Sequence, residues 1–290
     1  MNLSAKDGNI ILSDVCDFDL FQTFECGQCF RWDKTAENTY TGIAMGKVLT
    51  IEKKENSFVL YDTSEEDFKS IWYHYFDFNR DYSHIKSNLS NDPVMKNAIS
   101  YGEGIRILQQ DLWETVVSFI ISASNNIPRI KKIIASFCEN FGEKVEYMQK
   151  TYYLFPTPKK TASLSLKQLS VIKAGFRDKY ILDAAAQFVS GNMNNLPLLD
   201  NESAKKQLMS IKGVGNKVAD CVMLFGLHRY NSFPVDVWIK RIMEYCYFDN
   251  KQSIADISAF AHEKFGEHCG FAQQYLFFYA RENKIEGDKN

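Results

Sequence analysis

The spacing of hydrophobic residues changes once along this 290-residue chain, near Ser64, and the change limits the folds that the chain can adopt. Before it, the stretch TYTGIAMGKVLTIEKKENSFVLYDT (39–63) alternates residue types and is interrupted by two glycines and by KKENS. Such alternation with turn residues between the runs is typical of an antiparallel meander. The preceding stretch, FQTFECGQCFRWDK, is similarly rich in aromatic and turn residues, so we predict strands over the first sixty residues.

From Ser64 onward the apolar residues recur at helical spacing. Ser64 is a typical N-cap followed by acidic residues, and Asp111 has the same position in front of LWETVVSFIISAS. The stretch NIPRIKKIIASFCENFG places its proline in the first turn and closes with Gly142. Further helices are predicted over residues 177–189, 203–210, 217–228, 237–248 and 268–283.

The predicted fold class is therefore α+β. A small N-terminal antiparallel β-sheet domain with flanking helices is expected over residues 1–100, and a mainly α-helical domain over residues 101–290. The chain contains no apolar run long enough to span a membrane, and its N-terminus lacks the apolar segment of a signal peptide. We therefore expect an intracellular protein that does not bind membranes.

The charged residues are unevenly distributed. The chain carries 34 Lys and Arg residues against 36 Asp and Glu residues, a net charge of −2. Residues 1–100 hold 10 basic and 16 acidic residues (net −6), which leaves 24 and 20 (net +4) for residues 101–290. This excludes a uniformly basic nucleic-acid binder and predicts that any site for a polyanion is a local patch in the second part.

The seven cysteines are predicted to be free thiols, because an odd number in an intracellular chain is rarely bridged. Only the CGQC stretch has close spacing, and no second close pair completes a zinc or iron–sulfur site. A redox role would require a thioredoxin-like βαβ pattern around CGQC, which the sequence lacks. We interpret these two cysteines as packing residues.

The stretch SAKKQLMSIKGVGNKVADCVMLFG predicts two helices joined by a tight turn at Gly213, Val214 and Gly215. The glycines leave backbone N–H groups exposed at a helix start, a surface that binds phosphate, and Lys212 adds a positive charge. A dinucleotide fingerprint or a Walker loop is excluded, because Val218 stands where the third glycine or the Ser/Thr is needed. The alternative is a helical hairpin without a ligand.

Lys217 is a cation at the start of a helix, the end that disfavours positive charge. The helix dipole and the apolar neighbours both favour the neutral amine, so we expect the lysine pKa to fall and the amine to be nucleophilic. The alternative is a solvated surface lysine. Asp236, shortly after Pro234, is either a helix N-cap or a carboxylate that faces this lysine. Together, an amine nucleophile and a carboxylate suit a reaction through a cationic sugar centre.

These residues resemble those of the helix–hairpin–helix DNA glycosylases, through IKGVGNKVAD and FPVDV at their mutual spacing. Within that group the chain most resembles the 8-oxoguanine DNA glycosylases, over nearly its whole length. The resemblance lies in separate blocks: GQCFRW (27–32), QDLWETVVSFIISASNNIPRI (110–130), GFRDKYI (175–181), the hairpin and GFAQQYLF (270–277).

The resemblance implies roles for the matching residues. Lys217 would attack the anomeric carbon, expel the base, form a Schiff base and permit strand cleavage by β-elimination, while Asp236 would stabilise the oxocarbenium charge. The nucleotide must be extruded from the duplex for this chemistry. The Gly27 carbonyl would accept the hydrogen that 8-oxoguanine bears on N7 and guanine lacks. Cys221 and Phe277 would sandwich the base, and Gln273 would bond its pairing edge.

The resemblance also implies contacts with the rest of the duplex. Phe176 would be a stacking wedge, and Arg129 and Arg177 would read the orphaned cytosine, although without the resemblance both arginines are ordinary solvated charges. A monovalent or similar cation would bind the hairpin carbonyls, and the chemistry would need no cofactor and no iron–sulfur cluster. The residues expected at the DNA are Lys212, Gly213, Gly215, Asn126, Arg129, Phe176 and Arg177, and those expected at the cation are Met209, Ile211 and Val214.

Three residues depart from the family pattern. Trp238 replaces a common histidine two residues after the aspartate, Ser124 replaces the first asparagine of the segment that fills the gap, and Phe176 is often tyrosine. The expected partner is double-stranded DNA containing oxidised guanine, bound by a monomer in the cytoplasm or nucleoid, or in a nucleus.

Two alternatives remain open at this point. One is a glycosylase for another damaged base, such as an endonuclease III-like enzyme, although only Cys246 and Cys269 lie beyond the hairpin where those enzymes carry four clustered cysteines. The other is a helix–hairpin–helix protein that binds DNA without chemistry, which would not explain Lys217 and Asp236 together.

Overall fold

The computed structural model describes residues 1–285 and begins with a six-stranded antiparallel sheet in the spatial order β1-β2-β6-β5-β4-β3. The predicted meander forms its centre, with Thr41 opposite Thr50 on β4 and β5, and Ile51 opposite Leu60 on β5 and β6. The strands are β1 (Asn2–Lys6), β2 (Asn9–Ser13), β3 (Trp32–Ala36), β4 (Thr39–Ala44), β5 (Lys47–Lys54) and β6 (Ser57–Tyr61).

The prediction of strands throughout the first sixty residues is wrong at one place. Helix α1 (Leu20–Glu25) lies between β2 and β3. The Asp19 carboxylate stabilises the start of this helix by accepting a hydrogen bond from the backbone N–H of Gln22. The turn that follows contains Gly27 in a left-handed conformation (φ +82°), which favours glycine. The CGQC segment that follows spans both cores, because Cys26 packs among the helices and Cys29 packs against the sheet.

A helical stretch follows the sheet, as the change in period predicts. Ser64 caps it by accepting a hydrogen bond from Asp67 N. The stretch comprises α2 (Glu65–Asp67), a π-helical turn (Phe68–Trp72) and α3 (Tyr73–Tyr75), and is followed by α4 (Tyr82–Leu89) and α5 (Pro93–Tyr101).

The five helices with predicted ranges after residue 176 match them within three residues at each end, whereas α8, α9 and α14 had no predicted range. Asp111 caps α6 and Gly142 ends α7, as expected. The helices are α6 (Leu112–Ser122), α7 (Ile127–Phe141), α8 (Pro158–Ala162), α9 (Leu166–Leu169), α10 (Asp178–Val189), α11 (Asn201–Leu208), α12 (Asn216–Phe225), α13 (Val237–Tyr247), α14 (Ile254–Phe265) and α15 (Cys269–Glu282).

One hairpin of strands interrupts the region that the sequence indicated as helical. Strands β7 (Lys144–Tyr147) and β8 (Lys150–Tyr153) pair with each other, with Met148 and Gln149 at the turn in left-handed conformations. The two strands are only four residues long, too short for an alternating pattern to stand out between flanking helices.

Two hydrophobic cores hold the chain together. The first lies against the sheet and contains an aromatic cluster in which Phe24 stacks on Trp32 with ring centroids 4.1 Å apart. The second lies among the helices, and it includes residues of α4 and α5 as well as Cys26 and Phe30 from the segment after α1. Because both cores draw on residues from the first hundred, the division at residue 100 stays a prediction.

Helix α12 lies near the middle of the second core, with α6 and α11 packed against it. Helix α15 packs against α5 and α13, and ten of its fourteen residues are buried. Within residues 1–285, none of the helices is long and apolar enough to cross a membrane.

Candidate active site

A cleft of about 820 Å³ opens between the helical core and the turn after α1. Its walls come from the end of α6, the start of α7, the glycine hairpin, α12, the start of α13 and one face of α15. Lys217 and Asp236, the two predicted catalytic residues, both line this cleft together with Gly27.

Lys217 is the second residue of α12 and points toward the end of α6. Its Nζ lies 3.4 Å from the hydroxyl of Ser122 and 5.1 Å above the ring centroid of Phe119. The side chain is half-buried, so its amine is held within the cleft rather than extended into solvent. This placement contradicts the alternative of a solvated surface lysine.

Asp236 is the N-cap of α13 and accepts a hydrogen bond from the backbone N–H of Ile239 at 2.8 Å. Burial raises the pKa of this carboxyl, while the Ile239 N–H and the positive charge of Lys217 act in the opposite direction. Asp236 can therefore be both an N-cap and a catalytic residue. One carboxylate oxygen holds the side chain at the helix start, and the charge of Lys217 is close enough to affect the carboxyl pKa.

Gly27 and Phe277 lie close together and both line the cleft, where they border a slot. A Cβ atom built on Gly27 would lie 2.9 Å from Cε1 of Phe277, closer than side chains tolerate. Cys221 lies on α12 in the same cleft, and burial raises the pKa of its thiol to about 12, so it is a neutral packing surface. The three residues predicted to enclose a base are thus brought together.

Gln273 lies one helical turn before Phe277 on α15 and is only 5% exposed. Its Oε1 is buried and has no hydrogen-bond partner among the described residues. Buried polar groups are nearly always paired in native proteins, so this oxygen indicates a partner that a ligand supplies.

The hairpin has the geometry of a phosphate site. Gly213 has φ +84° and packs on Tyr180, where a Cβ would come within 2.3 Å of the ring. Gly215, the N-cap of α12, has no side chain to bond the first N–H groups, and the space beside it is open. Those N–H groups are available to an anion.

Lys212 is not a free charge in this structure. Its Nζ lies 3.1 Å from one carboxylate oxygen of Asp183, and its backbone N–H donates to the other at 2.9 Å. The lysine side chain remains largely exposed, so it reaches solvent beside the hairpin while paired. Its predicted contact with phosphate stays a prediction.

The hairpin carbonyls fit the predicted cation in part. Among the described residues, no backbone N–H donates to the oxygens of Met209 and Val214, whereas that of Ile211 accepts from Val214 N at 3.0 Å. Oxygen atoms without donors suit a hard cation. The chemistry of this donor set supports the expectation, which stays a prediction.

The segment between α6 and α7 forms one rim of the cleft. Asn126 is the N-cap of α7 and accepts a hydrogen bond from Arg129 N at 3.0 Å. Ser124 has a left-handed backbone (φ +51°), which asparagine tolerates better than serine. Asn126 therefore has a structural role as a cap, and its contact with DNA stays a prediction.

The two predicted readers of cytosine differ in their surroundings. Arg177 is 6% exposed, and its guanidinium donates to the carbonyls of Ala123 and Ala174. Burial lowers the pKa of Arg177, and the nearby charge of Arg129 adds to the effect. Arg129 itself is exposed, so of the two it has the freer guanidinium.

Phe176 is 57% exposed, and the Arg177 guanidinium lies 4.3 Å from its ring centroid. The exposed ring is free to stack on a partner, and its role as a wedge stays a prediction.

The sequence reasoning missed two residues that position the amine. Ser122 and Phe119 lie on the last turn of α6, within the block 110–130 that resembles the family. The resemblance implied no role for either residue. Their i, i+3 spacing places both on one face, which was the available signal. The sequence cannot show that this face meets the start of α12.

Comparison with known families agrees with this geometry. The model of the 8-oxoguanine DNA glycosylase N-terminal domain matches residues 10–116. The model of the HhH-GPD superfamily of base excision DNA repair proteins matches residues 117–267.

Individual proteins are similar over almost the whole chain. The N-glycosylase/DNA lyase of Saccharomyces cerevisiae is 29% identical, over 95% of this chain and 86% of the yeast protein. The structure of Clostridium acetobutylicum 8-oxoguanine glycosylase/lyase, in complex with double-stranded DNA containing cytosine opposite 8-oxoguanine, is 44% identical with a TM-score of 0.95. MBOgg1 in complex with a low-affinity DNA ligand is 46% identical, also with a TM-score of 0.95. The alignments with these two structures cover 98% of this chain and 99% of each of theirs.

Proposed function

The chain belongs to the HhH-GPD superfamily of base excision DNA repair proteins, and from this premise we infer that it is a bifunctional 8-oxoguanine DNA glycosylase and lyase. It removes 8-oxoguanine paired with cytosine from duplex DNA and then cleaves the strand. The single observation that carries this inference is the shared cleft, which is lined by Lys217 and Asp236 and by the slot that Gly27 and Phe277 border.

The residues support the following reaction. The lone pair of the Lys217 amine forms a bond to C1′ of the extruded nucleotide, and the glycosidic bond breaks with its electron pair leaving on the base, which takes up a proton. The Asp236 carboxylate stabilises the positive charge that develops at the sugar. The nitrogen then loses a proton and its lone pair forms the C=N bond of the Schiff base, as the C1′–O4′ bond opens and O4′ takes up a proton. Removal of a C2′ proton then breaks the C3′–O bond and nicks the strand.

Base recognition depends on what the slot can accept. A hydrogen on N7 of the base meets the Gly27 carbonyl, while unmodified guanine presents a lone pair there and is rejected. Phe277 and Cys221 supply the two faces of the sandwich, and the unpaired Gln273 oxygen meets donors on the pairing edge. Because Gly27 has no side chain, its backbone and the Phe277 ring lie close together, so both can reach the same base.

Trapping with borohydride tests the nucleophile and the substrate together. The protein is incubated with duplex DNA containing one 8-oxoguanine opposite cytosine, reduced, and examined for a covalent protein–DNA band. We expect a band for the wild type and none for Lys217→Gln, which should still bind the duplex. Lys206→Gln on α11, an exposed lysine outside the cleft, is the matched control and should keep the band.

The possible results separate the alternatives. A band that survives in Lys217→Gln would show that another amine is the nucleophile. Trapping of damaged pyrimidines in place of 8-oxoguanine would keep the mechanism and replace the substrate. DNA binding without trapping of any lesion would leave a helix–hairpin–helix protein without chemistry.

Three further features belong to this proposal. The protein acts as a monomer, needs no cofactor for the chemistry, and holds a monovalent or similar cation at the hairpin carbonyls near the DNA phosphate. It works wherever the genome is, in the cytoplasm and nucleoid or in a nucleus, because its substrate is chromosomal DNA.

A further inference from the structure

The direction of the Gly27 carbonyl is not fixed by Gly27 itself. This carbonyl and the N–H of Gln28 belong to one planar peptide group, so the carbonyl points wherever that plane is held. Gly27 has φ +82° and no side chain, and glycine adopts more backbone conformations than any other residue. The plane must therefore be held from its other end, at Gln28.

The carbonyls around Gly27 differ in their hydrogen bonds. The carbonyl of Glu25 accepts from the guanidinium of Arg281. The carbonyl of Gln28 accepts from Nε2 of Gln110 at 2.7 Å. Within residues 1–285, no donor reaches the Gly27 carbonyl, which leaves it available to a ligand.

The side chain of Gln28 is held on all sides. Gln28 is fully buried, and its Nε2 donates to the carbonyls of Thr23 at 2.9 Å and Arg106 at 2.7 Å. Its Oε1 accepts from the backbone N–H of Leu108 at 2.8 Å. Both donors and the acceptor of the amide are thus paired. Because breaking a buried hydrogen bond is costly, these contacts oppose any rotation of the residue that follows Gly27.

Gln110 holds the same residue by its backbone. While its Nε2 donates to the Gln28 carbonyl, its own backbone N–H donates to the carbonyl of Phe225 at 3.1 Å. Phe225 is the last residue of α12, the helix that carries Lys217 in its first turn. One glutamine therefore links the residue beside Gly27 to the helix of the amine.

We propose that Gln28 and Gln110 form an amide clamp (Gln28 and Gln110) that aims the Gly27 carbonyl at the base. Both are positioning residues, because they act through the peptide group of Gly27 and neither lines the cleft. This inference rests on the proposed function and goes beyond it, since it assigns part of the base specificity to two residues outside the pocket.

Two reactions of the same protein separate positioning from folding. Excision of 8-oxoguanine needs the base contact of Gly27 as well as the chemistry of Lys217 and Asp236. Cleavage at a preformed abasic site needs the same chemistry but has no base to recognise. A displaced Gly27 carbonyl should therefore slow excision and spare cleavage at the abasic site, whereas a general loss of structure should slow both.

Gln110→Met is the test variant, because methionine keeps the length of the side chain and removes its donor. We expect single-turnover excision of 8-oxoguanine opposite cytosine to slow about tenfold, since a small misplacement of a positioned group is costly. Cleavage of a duplex with an abasic site opposite cytosine should be unchanged. Gln110→Glu keeps the shape and places a carboxylate against the Gln28 carbonyl, so it should give the same pattern and replaces the methionine variant if that one unfolds.

Gln109→Met is the matched control. Gln109 is half-buried like Gln110, and its Nε2 also donates at 2.7 Å, but to the carboxylate of Asp77. This variant should lower the melting temperature and leave the ratio of excision to abasic-site cleavage unchanged.

Two results would overturn the proposal. Equal slowing of both reactions by Gln110→Met would indicate a structural role, and unchanged rates would show that the amide clamp does not control the Gly27 carbonyl. Failure of the proposed function is distinguishable, because a wild type that excises no 8-oxoguanine would refute that function before any variant is compared.

Discussion

A Cβ atom on Gly27 would stand 2.9 Å from Cε1 of Phe277, although the two residues are 250 positions apart in the chain. One residue belongs to the turn after α1 and the other to α15, so the sheet domain and the last helix jointly define the slot for the base. The contact is possible because glycine has no side chain at this point.

Substitution of Gly27 should therefore close the slot. We expect Gly27→Ala to slow 8-oxoguanine excision about tenfold to a hundredfold, the effect of inserting a methyl group into a packed contact. Part of the cost is strain, because alanine in the left-handed region is disfavoured by about 1–2 kcal/mol. Single-turnover excision and thermal unfolding measure the two effects.

Gly46→Ala is the matched control for strain alone. Gly46 also has a left-handed backbone (φ +75°), but a Cβ there would meet nothing within 4 Å. This variant should lose similar stability and keep its excision rate. Equal excision by the two variants would mean that the contact with Phe277 does not limit the slot.

Asp236→Asn should separate the charge of this residue from its role as a cap. Asparagine caps helices about as well as aspartate, so α13 should remain intact and stability should change by less than about 0.5 kcal/mol. Excision should fall about a hundredfold, since a charge aimed at the transition state is removed. Asp111→Asn, at the N-cap of α6, makes the same change outside the cleft. If both variants remain fully active, Asp236 is only a cap.

Arg129 and Arg177 should respond differently to truncation. Arg129→Ala should reduce the preference for cytosine over adenine opposite the lesion by about tenfold, because an exposed guanidinium is free to read the base. Arg177→Ala should instead lower the melting temperature, because the carbonyls of Ala123 and Ala174 lose their donors. Excision opposite each base and thermal unfolding provide the comparison. Loss of base preference in Arg177→Ala without loss of stability would reverse this assignment.

Glu114 should make stability depend on pH. Burial raises the pKa of its carboxyl to about 7, although Arg31 lies 3.3 Å away and opposes the shift. The folded protein thus holds a proton at pH values where the unfolded chain has released it. A raised pKa stabilises the folded state below about pH 4.5, and this contribution is lost as pH rises through about 7.

The difference in unfolding free energy between wild type and Glu114→Gln isolates this group. We expect the wild type to lose up to about 3 kcal/mol relative to the variant between pH 5 and pH 8. Chemical denaturation at several pH values measures this difference. The pKa of His228 is lowered, which makes stability rise with pH, but this contribution is the same in both proteins and cancels in the comparison. Parallel curves for the two proteins would show that Glu114 does not titrate in this range.

Much of the fold could be predicted because its signals are local. Ser64, Asp111 and Gly142 mark helix ends through contacts within four residues, and all three are confirmed. Helix α1 and the β7–β8 hairpin were missed, because each is short and lies within a region of the other pattern, and no ranges were predicted for α8, α9 and α14.

The candidate site divides in the same way. The sequence determined that Lys217 begins a helix after a glycine turn and that Asp236 caps the next helix, since turns and caps depend on adjacent residues. Only the tertiary structure decided that the amine rests on Ser122, that Gly27 faces Phe277 and that Arg177 holds the turn before α7. Such contacts join segments from different parts of the chain, and packing of the whole core, rather than any local preference, sets their distances.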